Sequence, residues 1–218
     1  MMLPTTLERF VETIAPEHDE IQSEMAIYAR EHGFPIIGPA AGAILTQCAL
    51  MRNATRIFEF GSGFGYSATW FLKGLAPDGE IILTEVDPDE LALAEEYLDR
   101  AGELDRVILE AGDALEIIES YDGPFDCVLL DLHKSGYPQA FELVHDKLAA
   151  GGVVIADNIL DGPVRYDELL PYLRDESSLP EDETVAGLVS YLRLVQSTPG
   201  CHTTIIPVDE GLAVTHCQ

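Results

Sequence analysis

Two aspartates in the second half of the chain close apolar runs at equivalent places. Asp131 follows Cys127–Leu130, and Asp157 follows Val153–Ala156 with Asn158 next. If the two runs are neighbouring strands of a parallel sheet, about 5 Å apart, their carboxyl ends deliver both side chains to one crevice. Two carboxylates and an amide oxygen form a hard donor set. Such a set suits Mg²⁺, Mn²⁺ or Ca²⁺ and leaves positions open for water or a second molecule. Like charges buried together without a cation are costly; the competing reading is that both aspartates only cap loops. Lys134 stands three residues beyond Asp131. A divalent ion nearby would depress its pKa and make it a general base, with His133 as competitor and a solvated loop lysine as the alternative.

A second group of residues points to a nucleoside. Glu59-Phe60-Gly61-Ser62-Gly63-Phe64-Gly65-Tyr66-Ser67 joins a strand to a helix, and glycines there let the backbone turn sharply beside a ligand. A dinucleotide fingerprint wants its third glycine at 66, where this chain has Tyr66. A bulky residue at that place suits a ligand without a pyrophosphate, such as S-adenosylmethionine, better than NAD. Glu85 closes the next β-prone run, where a carboxylate accepts hydrogen bonds from both ribose hydroxyls. Gly112-Asp113-Ala114 follows the third run and puts an acid within reach of an adenine amino group, or else simply a helix cap.

These residues need a scaffold. Residues up to about 52 read as three helices, Leu7–Ile14, Glu17–Glu31 and Ala41–Arg52, with a turn over Gly33–Pro39. From Arg56 the pattern changes to short runs Arg56–Phe60, Glu80–Glu85, Arg106–Glu110, Phe125–Asp131 and Gly151–Asp157, separated by helical stretches. Continuous apolar runs fit strands buried on both faces, as a parallel sheet requires. Asp87-Pro88-Asp89-Glu90 is a helix start, and Leu91, Ala94, Leu98 and Ala101 form its inward stripe. Strand and helix in alternation give a doubly wound α/β sheet. Thr203–Pro207 and Leu212–His216, separated by Val208-Asp209-Glu210-Gly211, read as an antiparallel hairpin. Five parallel strands followed by such a hairpin is the Rossmann-like methyltransferase arrangement, whereas dinucleotide-binding domains continue in parallel. The expectation is one domain over 1–218, with helices in 1–54 covering the site and the core in 55–218.

The 218 residues include 39 acids against 12 bases, a net charge of −27. A surface of that sign repels nucleic acid and anionic membranes, and fits high salt, where counterions screen self-repulsion. No apolar run reaches the roughly 20 residues of a membrane span, and no signal pattern opens the chain. Cys48, Cys127, Cys201 and Cys217 lie far apart, as free thiols in a reducing cytoplasm do, and not as a disulfide framework or zinc site.

Taken in order, Glu59–Ser67, Glu85, Gly112-Asp113-Ala114, Asp131-Leu132-His133-Lys134 and Asp157-Asn158 resemble the cation-dependent O-methyltransferases, the family of the catechol and caffeoyl-CoA enzymes. The likeness runs from Gly33–Gly38 to Ile206–Leu212. It implies that Asp131, Asp157 and Asn158 hold a divalent ion and that Lys134 deprotonates the acceptor hydroxyl. S-adenosylmethionine would lie among Ile37, Glu59, Gly61, Gly63, Ser67, Glu85, Asp113, Ala114 and Asp131. It also implies a homodimer and a small catechol-like acceptor. His133 departs from the caffeoyl-CoA pattern, as does Leu160 where an aromatic residue is expected, and the helix around Val185–Gln196 lacks its Arg/Asn pattern. A nicotinamide oxidoreductase, a cation-independent methyltransferase and a non-catalytic nucleoside binder remain as alternatives.

Overall fold

The computed structural model describes residues 5–160, 164–174 and 178–218, so the first four residues of the expected N-terminal helical segment lie outside it. Seven strands form one sheet in the order β3-β2-β1-β4-β5-β7-β6. They are β1 (Arg56–Phe60), β2 (Glu80–Glu85), β3 (Val107–Ala111), β4 (Phe125–Leu130), β5 (Leu148–Ala156), β6 (Cys201–Ile206) and β7 (Leu212–Cys217). The first five run parallel, and β7 lies antiparallel to both β5 and β6. The order turns back between β1 and β4, the switch point at which such sheets bind ligands.

Helices α1 (Thr5–Ile14), α2 (Glu20–His32) and α3 (Pro39–Arg52) precede the sheet. Then come α4 (Tyr66–Leu72), α5 (Pro88–Arg100), α6 (Ala114–Ile117), α7 (Tyr137–His145), α8 (Tyr166–Arg174) and α9 (Glu183–Ser197). Strand alternation divides the core in two. Ile57, Ile81, Leu83 and Ile155 face Met25, Leu45, Trp70 and Phe71 from α2, α3 and α4. Phe58, Phe60, Val128 and Val154 face Tyr137, Phe141, Leu188 and Tyr191 from α7 and α9. Glu59 shares the orientation of Ile57, which directs a carboxylate into the α4 side at 0% exposure.

Several expectations shift. Helix α2 starts at Glu20, because Asp19 accepts from the Gln22 amide and the Gln22 side chain answers at the cap. The α5 start stands, with Asp87 as cap and Pro88 first, but Ala101 is the exposed C-cap and Tyr97 is buried in its place. Asp131 and Asp157 lie one residue past their strands; their amides nonetheless continue the ladder onto Phe60 O (2.9 Å) and Leu130 O (3.1 Å). The expectation of four free thiols is wrong for two of them. Cys201 and Cys217 are directly opposed across β6 and β7 and form a disulfide. Sixteen residues of separation hid a pair that hairpin register brings face to face.

Candidate active site

The β1–α4 turn and the ends of β2, β4 and β5 converge at the switch point. Gly61 adopts φ +78°, and a Cβ there would stand 2.3 Å from the Asp131 carbonyl oxygen. Only glycine lets the two strand ends approach so closely. Glu85 accepts from the Gly63 amide (2.9 Å) with one oxygen and from the Val86 (2.8 Å) and Asp87 (3.0 Å) amides with the other. These bonds fix the carboxylate at the cleft edge. Glu59 receives a hydrogen bond from the Ser67 hydroxyl, while its Oε2 is buried with no partner among the described residues. Burial lifts its pKa to about 8 despite the Ser67 bond, and Asp131 and Glu85 push it the same way.

Three adjoining cavities share Asp131. One of about 440 Å³ runs along Glu85, Gly112, Asp113, Ala114 and Leu132. A second, about 190 Å³, is lined by Phe34, Ile37, Gly61, Gly63, Ser67 and Glu85. The third, about 120 Å³, lies between Ile36, Ile37, Asp131, Asp157, Asn158, Asp209 and Glu210. Every residue the sequence pointed to as ligand-binding therefore borders one continuous cleft, except Glu59, which lies behind Ser67. Asp113 caps α6 through the Leu115 amide (2.8 Å), and it also borders the cavity of about 440 Å³. A further groove of about 250 Å³, along Asp19, Lys73, Arg100 and Glu103, lies on the outer side of α2, α4 and α5, away from this chemistry.

At the inner end stand the three oxygen donors. Asn158 sits at φ +54°, a left-handed conformation that asparagine tolerates better than most residues. Its amide N–H donates to Asp157 Oδ1 (2.8 Å) and its Nδ2 donates to Glu210 Oε2 (2.6 Å). Its Oδ1 is thereby turned to Lys134 Nζ, 2.7 Å away. Lys134, only 4% exposed, also donates to the Tyr137 hydroxyl and stands 3.6 Å from Asp131 Oδ1. Burial lowers the lysine pKa, against the pull of Asp131 and Asp157. Burial raises that of Asp157 to about 7, reinforced by Asp131, and raises that of Asp131 against the opposing effect of Lys134. An all-oxygen cluster whose carboxylates resist ionisation fits a divalent cation, which would relieve both desolvation and mutual repulsion.

His133 is exposed, bonds to Ser135 Oγ (2.8 Å) and borders the cavity of about 440 Å³, so Lys134 is the base candidate among the acids. The sequence reading missed four partners. Tyr137 is buried, accepts from Lys134 and donates to Asp157 O (3.1 Å). Glu210 orients Asn158, and Asp209 accepts from the Ala41 amide (2.9 Å), tying the hairpin turn to α3. Gly187 lets α9 press against the Lys134 backbone. The turn signal at 208–211 was visible, but nothing in it marks a turn as facing a site on β5.

Comparison with known proteins agrees with this architecture. Residues 15–216 match the family model described as O-methyltransferase, and the chain belongs to that family. A catechol O-methyltransferase of Niastella koreensis is 34% identical over 62% of this chain and 64% of its own length. One from Mycobacterium tuberculosis is 31% identical over 56% of each. The chain thus spans less than two thirds of either relative. The O-methyltransferase involved in tomaymycin synthesis in Streptomyces achromogenes, solved in complex with SAM, superposes with a TM-score of 0.83 at 25% identity, over 98% of this chain and 96% of that one.

Proposed function

We propose that the chain is an S-adenosylmethionine- and divalent-metal-dependent O-methyltransferase acting on a small, catechol-like acceptor. The observation that carries this is the Asp131, Asp157 and Asn158 oxygen cluster, with Lys134 beside it, at the end of the cleft bordered by Glu85 and Asp113. When bound, the sulfonium cofactor supplies the methyl group and the ion acidifies an acceptor hydroxyl as a Lewis acid.

The chain's own residues do the rest. Glu85, already fixed by three amides, turns its remaining lone pairs to the ribose hydroxyls. Asp113 and Ala114 would hold the adenine; Ile37, Gly61, Gly63 and Ser67 would hold the methionine end, with Glu59 supporting Ser67 and Asp131 available to both the methionine end and the metal. Asp131, Asp157 and Asn158 hold the ion, with Glu210 holding the Asn158 amide in register. Lys134, its pKa lowered by burial, takes the acceptor proton at Nζ, steered by Tyr137. Much of the acceleration comes from holding hydroxyl and methyl at near-contact distance.

The chain reads as a single domain over 1–218, in which residues before 55 cover the cleft through Phe34, Ile36 and Ile37. Exposed Phe10, Ile14, Leu50 and Met51 support pairing of two copies, and the charge of −27 supports salt-rich surroundings. No helix of the described residues is long and apolar enough to cross a membrane. The test is methyl transfer from labelled adenosylmethionine to catechol in molar KCl. Activity should vanish with excess EDTA and return with Mg²⁺; turnover indifferent to chelation would remove the metal from the reading.

A further inference from the structure

The open end of the β6–β7 hairpin, remote from the turn that carries Glu210, gathers three side chains that methyl transfer does not use. His145, Cys201 and Cys217 bring one ligand atom each to within 4.8 Å of one another. Cys201 and Cys217 face each other across paired strands with Cα atoms 4.1 Å apart. His145 is the last residue of α7, its ring packed 5.6 Å from that of Phe141.

We propose that, with Cys201 and Cys217 reduced, these three residues form a second metal site, for a thiophilic ion such as Zn²⁺. Two thiolates and an imidazole are the soft and borderline donors that such ions select, in contrast to the oxygen cluster around Asp131. Zinc bonds of about 2.3 Å to sulfur and 2.0 Å to nitrogen put tetrahedral ligand atoms roughly 3.5–3.8 Å apart. Reduction frees the two sulfurs from bonding distance to separate toward that spacing. Ligating histidines characteristically engage a carboxylate with their other nitrogen. Here Nδ1 of His145 lies 3.0 Å from Asp146 Oδ1, which leaves Nε2 for the ion. Cys217 is buried while Cys201 and His145 are half-buried, so the fourth position opens toward solvent.

The disulfide and the ion are alternative ties for the same hairpin. A dithiol reductant converts the disulfide to two thiols and is itself oxidised to a disulfide. Binding the ion then releases two thiol protons and leaves two sulfur–metal bonds, with no further oxidant or reductant.

The test takes the full chain, reduced with a dithiol and desalted without oxygen, and titrates it with Co²⁺ in excess Mg²⁺ that fills the oxygen cluster. The expected result is a thiolate-to-cobalt charge-transfer band with tetrahedral d–d absorption, saturating at about one ion per chain and bleached by Zn²⁺. The oxidised protein and Cys217→Ser should lack it. Cys201→Ser, at the less buried partner, should lack it too and guards against a folding defect. His145→Ala should bind at least about 10-fold more weakly. No band in the reduced wild type, or a band that survives either serine variant, overturns the site; unchanged affinity in His145→Ala removes the histidine from it.

Discussion

Gly187→Ala tests how the site is held in place. Helix α9 packs at Gly187 against the backbone of residues 134–135: an added Cβ would stand 2.3 Å from the Lys134 carbonyl oxygen and 2.6 Å from Ser135 Cα. That is more than 1 Å short of van der Waals contact, and the atoms opposite are backbone, so neither side yields by a rotamer change. Alanine by itself favours a helix by about 1 kcal/mol over glycine, whereas overpacking of this kind costs about 1–3 kcal/mol. The net loss of about 0–2 kcal/mol lowers Tm by up to about 8 °C in a domain of this size. Relief comes from moving α9 or the 134–136 turn, and displacing Lys134 by about 1 Å costs about 100-fold in kcat. Thermal melts and steady-state kinetics on the same preparation read both effects. A higher Tm with unchanged kcat would refute the argument, since it would mean that helix propensity acts unopposed.

Three further outcomes are expected. Lys134→Ala loses about 10²–10⁴ in kcat as a general-base deletion does, and near-normal turnover at neutral pH withdraws that role. Glu210→Ala removes the acceptor of the Asn158 side-chain amide and weakens Mn²⁺ binding about 10–100-fold, as measured by calorimetry; equal affinity would reduce Glu210 to a turn residue. Folding raises the pKa of Asp157 to about 7 and of Glu59 to about 8, so between their ordinary values and these the folded protein keeps protons that the unfolded chain has lost. Stability of the metal-free protein therefore falls as pH rises from about 5 to 8.5. Mg²⁺ should recover the Asp157 share and Glu59→Gln should flatten the rest; a Tm that climbs with pH over that window contradicts the assignment.

What could be read from the sequence was what is local. Asp87-Pro88 announced α5, because a cap and a first-turn proline act within four residues. The runs at 56–60 and 80–85 matched β1 and β2 residue for residue, since each is a short, mostly apolar run ended by a change in pattern. Asp131, Asp157 and Asn158 could be placed because a parallel sheet puts strand ends at one edge. What stayed hidden depended on register and helix packing. Tyr137 looks like any core aromatic until α7 sets its hydroxyl against Lys134. Glu210 is one acid among 39 until β7 pairs with β5. Cys201 and Cys217 meet only through the hairpin alignment.

That alignment has a consequence for biosynthesis. In the sheet β7 stands between β5 and β6, although the ribosome makes β6 before it. When β6 emerges it has no finished neighbour, and the outer edge of β5 offers unpaired amides and carbonyls to any other strand. The nascent chain must therefore wait, with that edge uncovered, until Leu212–Cys217 has been translated and can slide in as a wedge. The same insertion brings Glu210 up to Asn158. An mRNA interrupted in this stretch would leave a polypeptide with every glycine-loop and aspartate residue present, yet with a sticky sheet margin and an unfinished grip on the ion.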